Sequence, residues 1–496
     1  MDLNDLRSQI DGIDRELLRL FEQRMLVARE IARYKKAHGI AVLDSAREEE
    51  KLRSVAAFLP ENLQKYGEAL YETLFSLSRD YQSLTIGKRC GLLGRKLGHS
   101  YSSQIHALLA SYDYNHYEKE PEELADFLRN GEFDGINVTI PYKKTVVPYC
   151  TELSDAARRI GSVNTILKRA DGSLYGDNTD AFGLEQLLQH SGIAVGERKV
   201  LVLGSGGTSA TACEVLKTLG AGEIVIISRH GENNYENITH HTDAEIIINT
   251  TPVGMYPNSG DRPVDLRLFP HCRGVVDVIY NPARTALLLQ AEELNIPHIG
   301  GLYMLVAQAK RSSELFTGQR IGDGEILRIE QILRREMQNI VLIGMPGSGK
   351  STVAKKLGEL MDRPVVDIDR EIERRSGMSI PEIFARHGEG YFRKLESDIL
   401  REMGKLSGRI LSTGGGCVTI EANYLPLHQN GVIVWLQRAI RELPGDGRPL
   451  SQCRNLDELY EARRPFYEQF ADITVENCGS LDDVAAGIME ALSCVF

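Results

Sequence analysis

The chain lacks any run of 18 apolar residues, so no membrane span is expected. It lacks a basic excess. The 58 Lys and Arg against 69 Asp and Glu leave a net charge of −11, which argues against wholesale nucleic-acid binding. Its eight cysteines form no CxxC pair and no Cys/His group at metal spacing, which predicts reduced thiols in a cytoplasmic protein without structural zinc. The opening MDLNDLRSQIDGID is acidic and has no apolar h-region, so no signal peptide is expected. There is no internal repeat and no low-complexity linker. Before residue 86 the one proline is Pro60. What is present is ordinary: 42% hydrophobic and 26% charged residues over 496 positions, a globular composition long enough for about three or four domains.

The first part reads as helix. Leu6, Ile10, Ile13, Leu17, Leu20, Val27, Ile31 and Tyr34 recur in steps of four and three once Arg24 is counted in the series, which predicts a long helix with a coiled-coil-like seam. A hairpin that merely dimerises would satisfy that pattern. An unpaired cation in a seam is costly, however. Lys35 follows Arg24 by 11 residues, about 20° around the helix, so two cations share one side and call for a dianionic ligand. The segment resembles the all-helical chorismate mutase family. LRxxIDxID places Arg7, ExR places Arg24, YK places Lys35, DSAREEE places Asp44, Arg47 and Glu48, and SRDYQ places Ser78 and Gln82. The resemblance implies rearrangement of chorismate to prephenate, a pericyclic step that needs neither nucleophile nor proton shuttle. The site has to hold a compact conformer and stabilise charge on the ether oxygen. By the same resemblance Arg7, Arg24 and Arg47 bind carboxylates, Lys35 and Gln82 face the ether oxygen, and Glu48 holds the ring hydroxyl. Asp44 and Ser78 complete the set.

From about residue 88 short β-branched runs alternate with amphipathic stretches: KVLVLG, EIVIIS, EIIINT and NIVLIG. That is the pattern of an α/β protein with a mostly parallel sheet. CGLLGRKLGHSYSSQIHALL, FDGINVTIPYK, IGSVNTI and YGDNTDAFG resemble the shikimate dehydrogenase family. The resemblance implies substrate contacts from Ser100, Ser102, Asn137, Thr139, Lys143, Asn164 and Asp180, with Lys143 and Asp180 the catalytic pair. Hydride transfer to a ketone needs a proton donor beside the carbonyl oxygen, and a carboxylate can hold a lysine in that role. Ser103 stands where the family usually has proline, and Ala181 where it has glycine.

VLVLGSGGTSATACEVL is a strand, a glycine turn and a helix start. Gly204, Gly206 and Gly207, with Ser205 and Thr208, would let the backbone approach a pyrophosphate at a helix N-terminus. Ser209 occupies the third glycine position, so the dinucleotide fingerprint is incomplete. After the next strand, Ser228 and Arg229 stand where NAD enzymes place an acid, and an arginine suits a 2′-phosphate, which predicts NADP(H). A quinate dehydrogenase using NAD is the rival that this arginine argues against. The segment from Ser228 to INTTPVGM is short for the family. VVDVIYNPARTALL and GGLYMLVAQA continue the resemblance to the shikimate dehydrogenase family, which implies Tyr280 and Gln308 on the substrate and Gly301 near the nicotinamide.

NIVLIGMPGSGKST is a strand and a complete phosphate-binding loop. Gly344, Gly347, Ser348, Gly349, Lys350, Ser351 and Thr352 would wrap ATP, with Lys350 on the β/γ oxygens and Ser351 on Mg²⁺. VVDIDREIE, GEGYFRKLE, STGGGCV, GRPLS and RRPFYEQFAD resemble the shikimate kinase family. The resemblance implies Asp367 on the metal, Asp369 on the substrate hydroxyls as the activating group, Arg393 and Arg463 on the carboxylate, Gly414, Gly415 and Gly416 against the ring, and Arg448 on a lid over ATP. Arg464 competes with Arg463 for its place.

The reading is therefore a multidomain enzyme of three parts. An all-α mutase domain spans 1–86. A two-lobed α/β dehydrogenase spans 87–336, with its substrate lobe at 87–185, an NADP-binding Rossmann lobe at 186–310 and C-terminal helices at 311–336. A P-loop kinase domain spans 337–496. It would reduce 3-dehydroshikimate, phosphorylate shikimate and rearrange chorismate, using NADP(H), ATP and Mg²⁺, as a cytoplasmic homodimer joined through the helical domain. The alternative keeps the last two activities and makes residues 1–86 a prephenate- or chorismate-sensing and dimerising module.

Overall fold

The periodicity of the first part becomes one helix, α1 (Leu3–Ala37), about 52 Å long at 1.5 Å per residue. A second helix, α2 (Gln64–Thr85), packs beside it. The structure is a computed structural model that describes residues 3–38, 50–54, 59–85, 88–98, 100–110, 112–443 and 456–495. By packing, the chain groups into two compact units, Met1–Phe182 with Gln308–Glu325, and Gly183–Ala307 with Ile326–Phe496. No helix among the described residues is long and apolar enough to cross a membrane.

In the first unit, α1 leaves its apolar series on the surface of the single chain. Ile13 is 63% exposed and Leu17 51%, with Leu6, Ile10, Leu20, Val27, Ile31 and Tyr34 similar. Ala28 and Ala32 are buried, and so is Arg29, whose Nη1 donates to Leu109 O at 2.8 Å. The α/β part of this unit is built from β1 (Arg89–Gly94), α3 (Ser102–Leu109), β2 (Asp113–Glu118), α4 (Leu124–Asn130), β3 (Gly135–Val138), β4 (Glu152–Leu153), α5 (Asp155–Ile160), β5 (Thr165–Lys168) and β6 (Leu174–Asp177). The sheet order is β2-β1-β3-β5-β6-β4. The expected parallel pairing holds at β1–β2, β1–β3 and β4–β6, but β5 runs antiparallel to both β3 and β6. The chain dictates this. Five residues join β5 to β6, enough for a hairpin and too few for the crossover that a parallel pair requires. Leu93, Leu124, Leu128, Ile136 and Ile166 form the core.

The second unit holds two five-stranded sheets. The first comprises β7 (Lys199–Leu203), β8 (Glu223–Ile227), β9 (Ile246–Asn249), β10 (Gly274–Asp277) and β11 (His298–Ile299), in the order β11-β10-β9-β7-β8, all parallel. The helices of this stretch of chain are α6 (Thr179–Ser191), α7 (Gly207–Thr218), α8 (Ala286–Glu293), α9 (Leu302–Thr317) and α10 (Gly324–Met337); α7 and α8 lie wholly in this unit, while α6, α9 and α10 include residues of both. Between β8 and β9 there is a 3₁₀ turn, Ile238–His241, and no α-helix, which accounts for the short segment in the sequence. The second sheet comprises β12 (Asn339–Ile343), β13 (Val365–Asp367), β14 (Ile410–Ser412), β15 (Gly431–Gln437) and β16 (Ile473–Glu476), in the order β13-β14-β12-β15-β16, again all parallel. Its helices are α11 (Lys350–Met361), α12 (Ile368–Ser376), α13 (Ile380–Met403), α14 (Tyr424–His428), α15 (Leu456–Phe470) and α16 (Leu481–Val495). Ile340, Val341, Leu342 and Ile343 are fully buried, as a strand covered on both faces must be. The joint at 336/337 lies within one residue of the end of α10. Those at 185/186 and 310/311 fall inside α6 and α9, whose backbone ladders run on across them.

Candidate active sites

On α1, Arg24 is half-buried. Its Nη1 donates to Ser78 Oγ at 2.5 Å and Leu74 O at 3.3 Å, and the guanidinium lies 5.8 Å from the Phe75 ring centroid. Ser78 is itself buried and donates to Leu74 O at 2.6 Å. The fold thus brings Arg24 and Ser78 together. Lys35 is half-buried and Arg7 exposed on the same helix. Gln82 lies on α2 with its side chain outside the described set, and Asp44, Arg47 and Glu48 lie outside the described residues.

In the substrate lobe, Lys143 Nζ lies 2.6 Å from Asp180 Oδ2. Asp180 stands in the first turn of α6, where the helix dipole favours a carboxylate. Around this pair the hydrogen bonds form a lattice. Asn164 Oδ1 accepts from Thr179 N at 2.7 Å, and its Nδ2 donates to Thr179 Oγ1 at 3.1 Å and Gln308 Oε1 at 3.5 Å. Asn137 Oδ1 accepts from Tyr114 OH at 2.9 Å, and its Nδ2 donates to Ser312 Oγ at 2.7 Å and Thr165 Oγ1 at 3.1 Å. Ser312 Oγ is also 3.1 Å from the hydroxyls of Thr165 and Thr179. Thr165, Thr179 and Ser312 therefore tie the expected residues to one another, and the sequence reading missed them. Thr179 had one signal, its place beside Asp180 in DNTD. Ser100 and Ser102 hydroxyls are 3.0 Å apart, Thr139 is half-buried, and Ser103 meets His116 Nε2 at 2.8 Å. A cation held by a carboxylate, amid amides and hydroxyls already oriented, can bind a polyhydroxylated ring and move a proton at Lys143 Nζ.

In the second unit, Gly206 caps α7 without a side-chain hydrogen bond. A Cβ at Gly206 or Gly207 would meet nothing within 4 Å, so the helix N-terminus beside Ser205 and Thr208 is open to an anion. Gly204 turns at φ +108°. Ser228 N donates to Asn233 O at 3.1 Å, and Arg229 is exposed next to it. Ser209 is buried in α7. At the ends of β9 and β10, Asp277 is fully buried. It accepts from Thr285 Oγ1 at 2.7 Å, Asn249 Nδ2 at 3.1 Å and Ile279 N at 3.1 Å. Burial pushes its carboxyl up to about 6, against the pull of those donors. Tyr280 follows directly, and Gly301 N donates to Ile279 O at 2.9 Å.

The part from residue 337 onward holds a cavity of about 560 Å³. The loop Gly344–Ser351 forms one wall. Lys350 is buried, its Nζ donating to Gly344 O at 2.8 Å and Met345 O at 2.9 Å. Gly349 sits at φ +92°, with Asn477 Nδ2 2.7 Å from where a Cβ would stand, so glycine is required there. Thr352 lines the cavity, and Gly347 and the fully buried Ser348 complete the loop. Ser351 Oγ is 3.2 Å from Ser412 Oγ, and Asp367 is the cross-strand partner of Ser412. One Asp367 oxygen caps α12 through Arg370 N at 3.2 Å. Ser351 and Asp367, each a neighbour of Ser412, offer a hydroxyl and a carboxylate, hard oxygen ligands of the kind that suits Mg²⁺, an ion that keeps water and phosphate for its other positions.

In the same cavity Arg393 Nη1 is 2.7 Å from Glu396 Oε2, and Arg463 Nη1 donates to Gly415 O at 3.0 Å. Burial pushes the Glu396 carboxyl up, while Arg393 draws it down. A Cβ on Gly416 would stand 2.2 Å from the Arg393 guanidinium, so the glycines make room for the arginine. Asp369 and Gly414 line the same space. Arg464, the rival of Arg463, pairs instead with Glu468 at 2.8 Å on the surface. Arg448 lies outside the described residues.

Family comparisons agree with this order along the chain. Models of chorismate mutase type II, the shikimate dehydrogenase substrate binding domain and shikimate kinase match residues 6–83, 92–166 and 346–493. The shikimate dehydrogenase (NADP(+)) of Clostridium beijerinckii is 36% identical over 246 residues, 46% of this chain and 90% of that protein. The enzyme of that name from Methanothermobacter thermautotrophicus is 35% identical over 258 residues, with shares of 46% and 90%. A chorismate mutase/shikimate 5-dehydrogenase fusion protein from Clostridium acetobutylicum, known from its crystal structure, is 35% identical over 50% of this chain and 97% of that one, with a TM-score of 0.48. The chain belongs to the shikimate dehydrogenase family, and it carries a chorismate mutase type II segment before that part and a shikimate kinase segment after it.

Proposed function

We propose that this one chain reduces 3-dehydroshikimate to shikimate with NADPH, phosphorylates shikimate with MgATP, and rearranges chorismate to prephenate. The observation that carries the reading is the coincidence of three family matches with three sets of suitable side chains, each in its own stretch of chain.

In the dehydrogenase, bound NADPH supplies the hydride. Lys143 delivers the proton to the developing alkoxide, and Asp180, 2.6 Å away, holds the ammonium in place. Asn137, Asn164 and Gln308 orient the ring, and Arg229 takes the 2′-phosphate. In the kinase, bound MgATP supplies the phosphoryl group. Asp369 receives the proton of the attacking hydroxyl, Lys350 stabilises charge on the phosphates, and Arg393 and Arg463 hold the carboxylate. In the mutase, Arg24 and Lys35 act from one helix face. The boundaries fall at 86 and 336. A second copy of the chain covers the exposed series on α1, and the support for it is that series itself: eight apolar residues at seam spacing, open to solvent in the single chain.

The test is to assay all three reactions on one purified preparation and again on Lys143→Ala. The expected result is loss of shikimate oxidation by about 10²–10⁴-fold with the other two rates kept. Loss of all three in folded protein would overturn the modular assignment.

A further inference from the structure

The dinucleotide lobe and the kinase part are bonded through the loop Asn281–Thr285. Arg284 Nε donates to His428 O at 3.0 Å and Nη2 to Gly431 O at 2.8 Å, while Nη1 lies 3.4 Å from Asp472 Oδ1. Its backbone N donates to Gln429 O at 2.9 Å, and Ala283 N donates to Asn430 Oδ1 at 2.8 Å. Gln429 Nε2 donates in the other direction, to Ser259 O. Asn430 O then accepts from Asn339 N at 2.7 Å, which ties the contact to the first strand of the kinase sheet.

The two ends of this contact differ in kind. The kinase acceptors lie at the start of β15 and just before β16, the amino-terminal edge of that sheet. The loop Gly344–Ser351 and the glycines 414–416 follow the carboxyl ends of β12 and β14, so the contact leaves the kinase cavity free. On the dehydrogenase side the bonded loop begins one residue after Tyr280 and ends at Thr285, which holds the buried Asp277. The grip is therefore on a functional loop at one end and on plain scaffold at the other.

From this asymmetry we infer that the kinase part serves as a built-in positioning partner for the dehydrogenase, with Arg284 the clamp that sets the Tyr280 loop. The inference rests on the dehydrogenase reading in giving Tyr280 a substrate role. Arginine suits the place because its planar fork reaches two carbonyls and a carboxylate at once, which the single ammonium of lysine does not. Removing it strands partly buried carbonyls of the kinase turn. Coupling of this kind is reciprocal, so a ligand on the lobe also steadies the kinase turn.

The experiment uses the full chain with Arg284→Ala, Arg284→Lys and, from the kinase side, Asn430→Ala. Steady-state kinetics of shikimate oxidation should show KM for shikimate raised roughly fivefold or more in both Arg284 variants, the lower range of measured couplings, with a smaller rise in Asn430→Ala. Shikimate phosphorylation should stay near wild type in all three, which also reports that they are folded. Amide hydrogen exchange gives the second readout. Saturating NADP⁺ should slow exchange at Gln429–Gly431 in the wild type and cease to do so in Arg284→Ala. Unchanged KM in the variants, or protection by NADP⁺ that survives Arg284→Ala, would overturn the clamp. A wild type that fails to oxidise shikimate while NADP⁺ still protects the turn would instead overturn the dehydrogenase reading and leave the clamp standing.

Discussion

On the function proposed above, the helical part and the kinase part face the same task, which is to hold a carboxylate-bearing ring with arginines, and they meet it differently. In the kinase, Arg393 on α13 and Arg463 on α15 line one cavity with Asp369 and Glu396, all from one chain. On α1, Arg7 and Arg24 are 17 residues apart, roughly 25 Å along a continuous helix and about 100° around it. Parallel strands end at a common edge, so the loops that follow them converge without help. A rod cannot converge on itself, and a site that needs both of its ends needs a second rod.

The largest expected effect falls where the site is self-contained. Lys350→Ala should lower shikimate phosphorylation by about 10²–10³-fold, as removal of a transition-state charge contact does, while mutase and dehydrogenase rates hold. Coupled ADP-release and absorbance assays on one sample would show it, and survival of a tenth of the phosphorylation rate would misplace the ATP site.

Next come the carboxylate arginines. Arg463→Ala should raise the kinase KM for shikimate by about 10–100-fold, the range for a lost charged hydrogen bond. Arg464→Ala should stay within about twofold, because an exposed ion pair contributes little. Equal effects from the two would erase the distinction between cavity and surface.

The mutase tests the other half of the comparison. Arg7→Ala and Arg24→Ala chains refolded together should regain about a quarter of wild-type activity, since about half the dimers are mixed and each has one whole site. Activity that stays at the level of the single variants would mean that each site comes from one chain. The smallest effect belongs to an exposed side chain: Arg229→Asp should narrow or reverse the preference for NADPH over NADH in parallel kcat/KM measurements, and equal use by the wild type would remove Arg229 from the 2′-phosphate.

Much of this was legible from residue order alone. The strands KVLVL and NIVLI declare themselves because burial on both faces forces an apolar run on the chain, and the seam of α1 is plain as a periodicity although the single chain leaves it exposed. Lys350 with Ser351 is legible because the phosphate loop demands particular residues at close spacing, whereas Lys143 and Asp180, 37 positions apart, are legible only through the family resemblance of the two motifs that carry them. The antiparallel turn at β5 was hidden, since its strands carry no different composition. Ser312 was hidden as well. It is a small polar residue inside a helix, and its partners Asn137, Thr165 and Thr179 are 133 or more positions away. Arg284 could be seen in NPART, but the carbonyls that give it meaning lie about 145 positions on. Long-range hydrogen bonds leave no periodic trace, and Thr165, Ser312 and Arg284, whose places are known only from such bonds, are residues that sequence did not supply.

The return of Gln308–Glu325 to the first unit has a consequence for the order in which the protein is made. Asn137 leaves the ribosome 175 residues before Ser312, its hydrogen-bond partner. At about 5–20 residues per second, that is a wait of roughly 9–35 s. Throughout it the polar lattice around Asn137, Thr165 and Thr179 stands incomplete in the nascent chain. The substrate lobe, though nearer the N-terminus, is thus finished only after the whole dinucleotide lobe has been synthesised, and a ribosome paused before residue 312 would carry a substrate lobe that has every strand and still lacks its keystone.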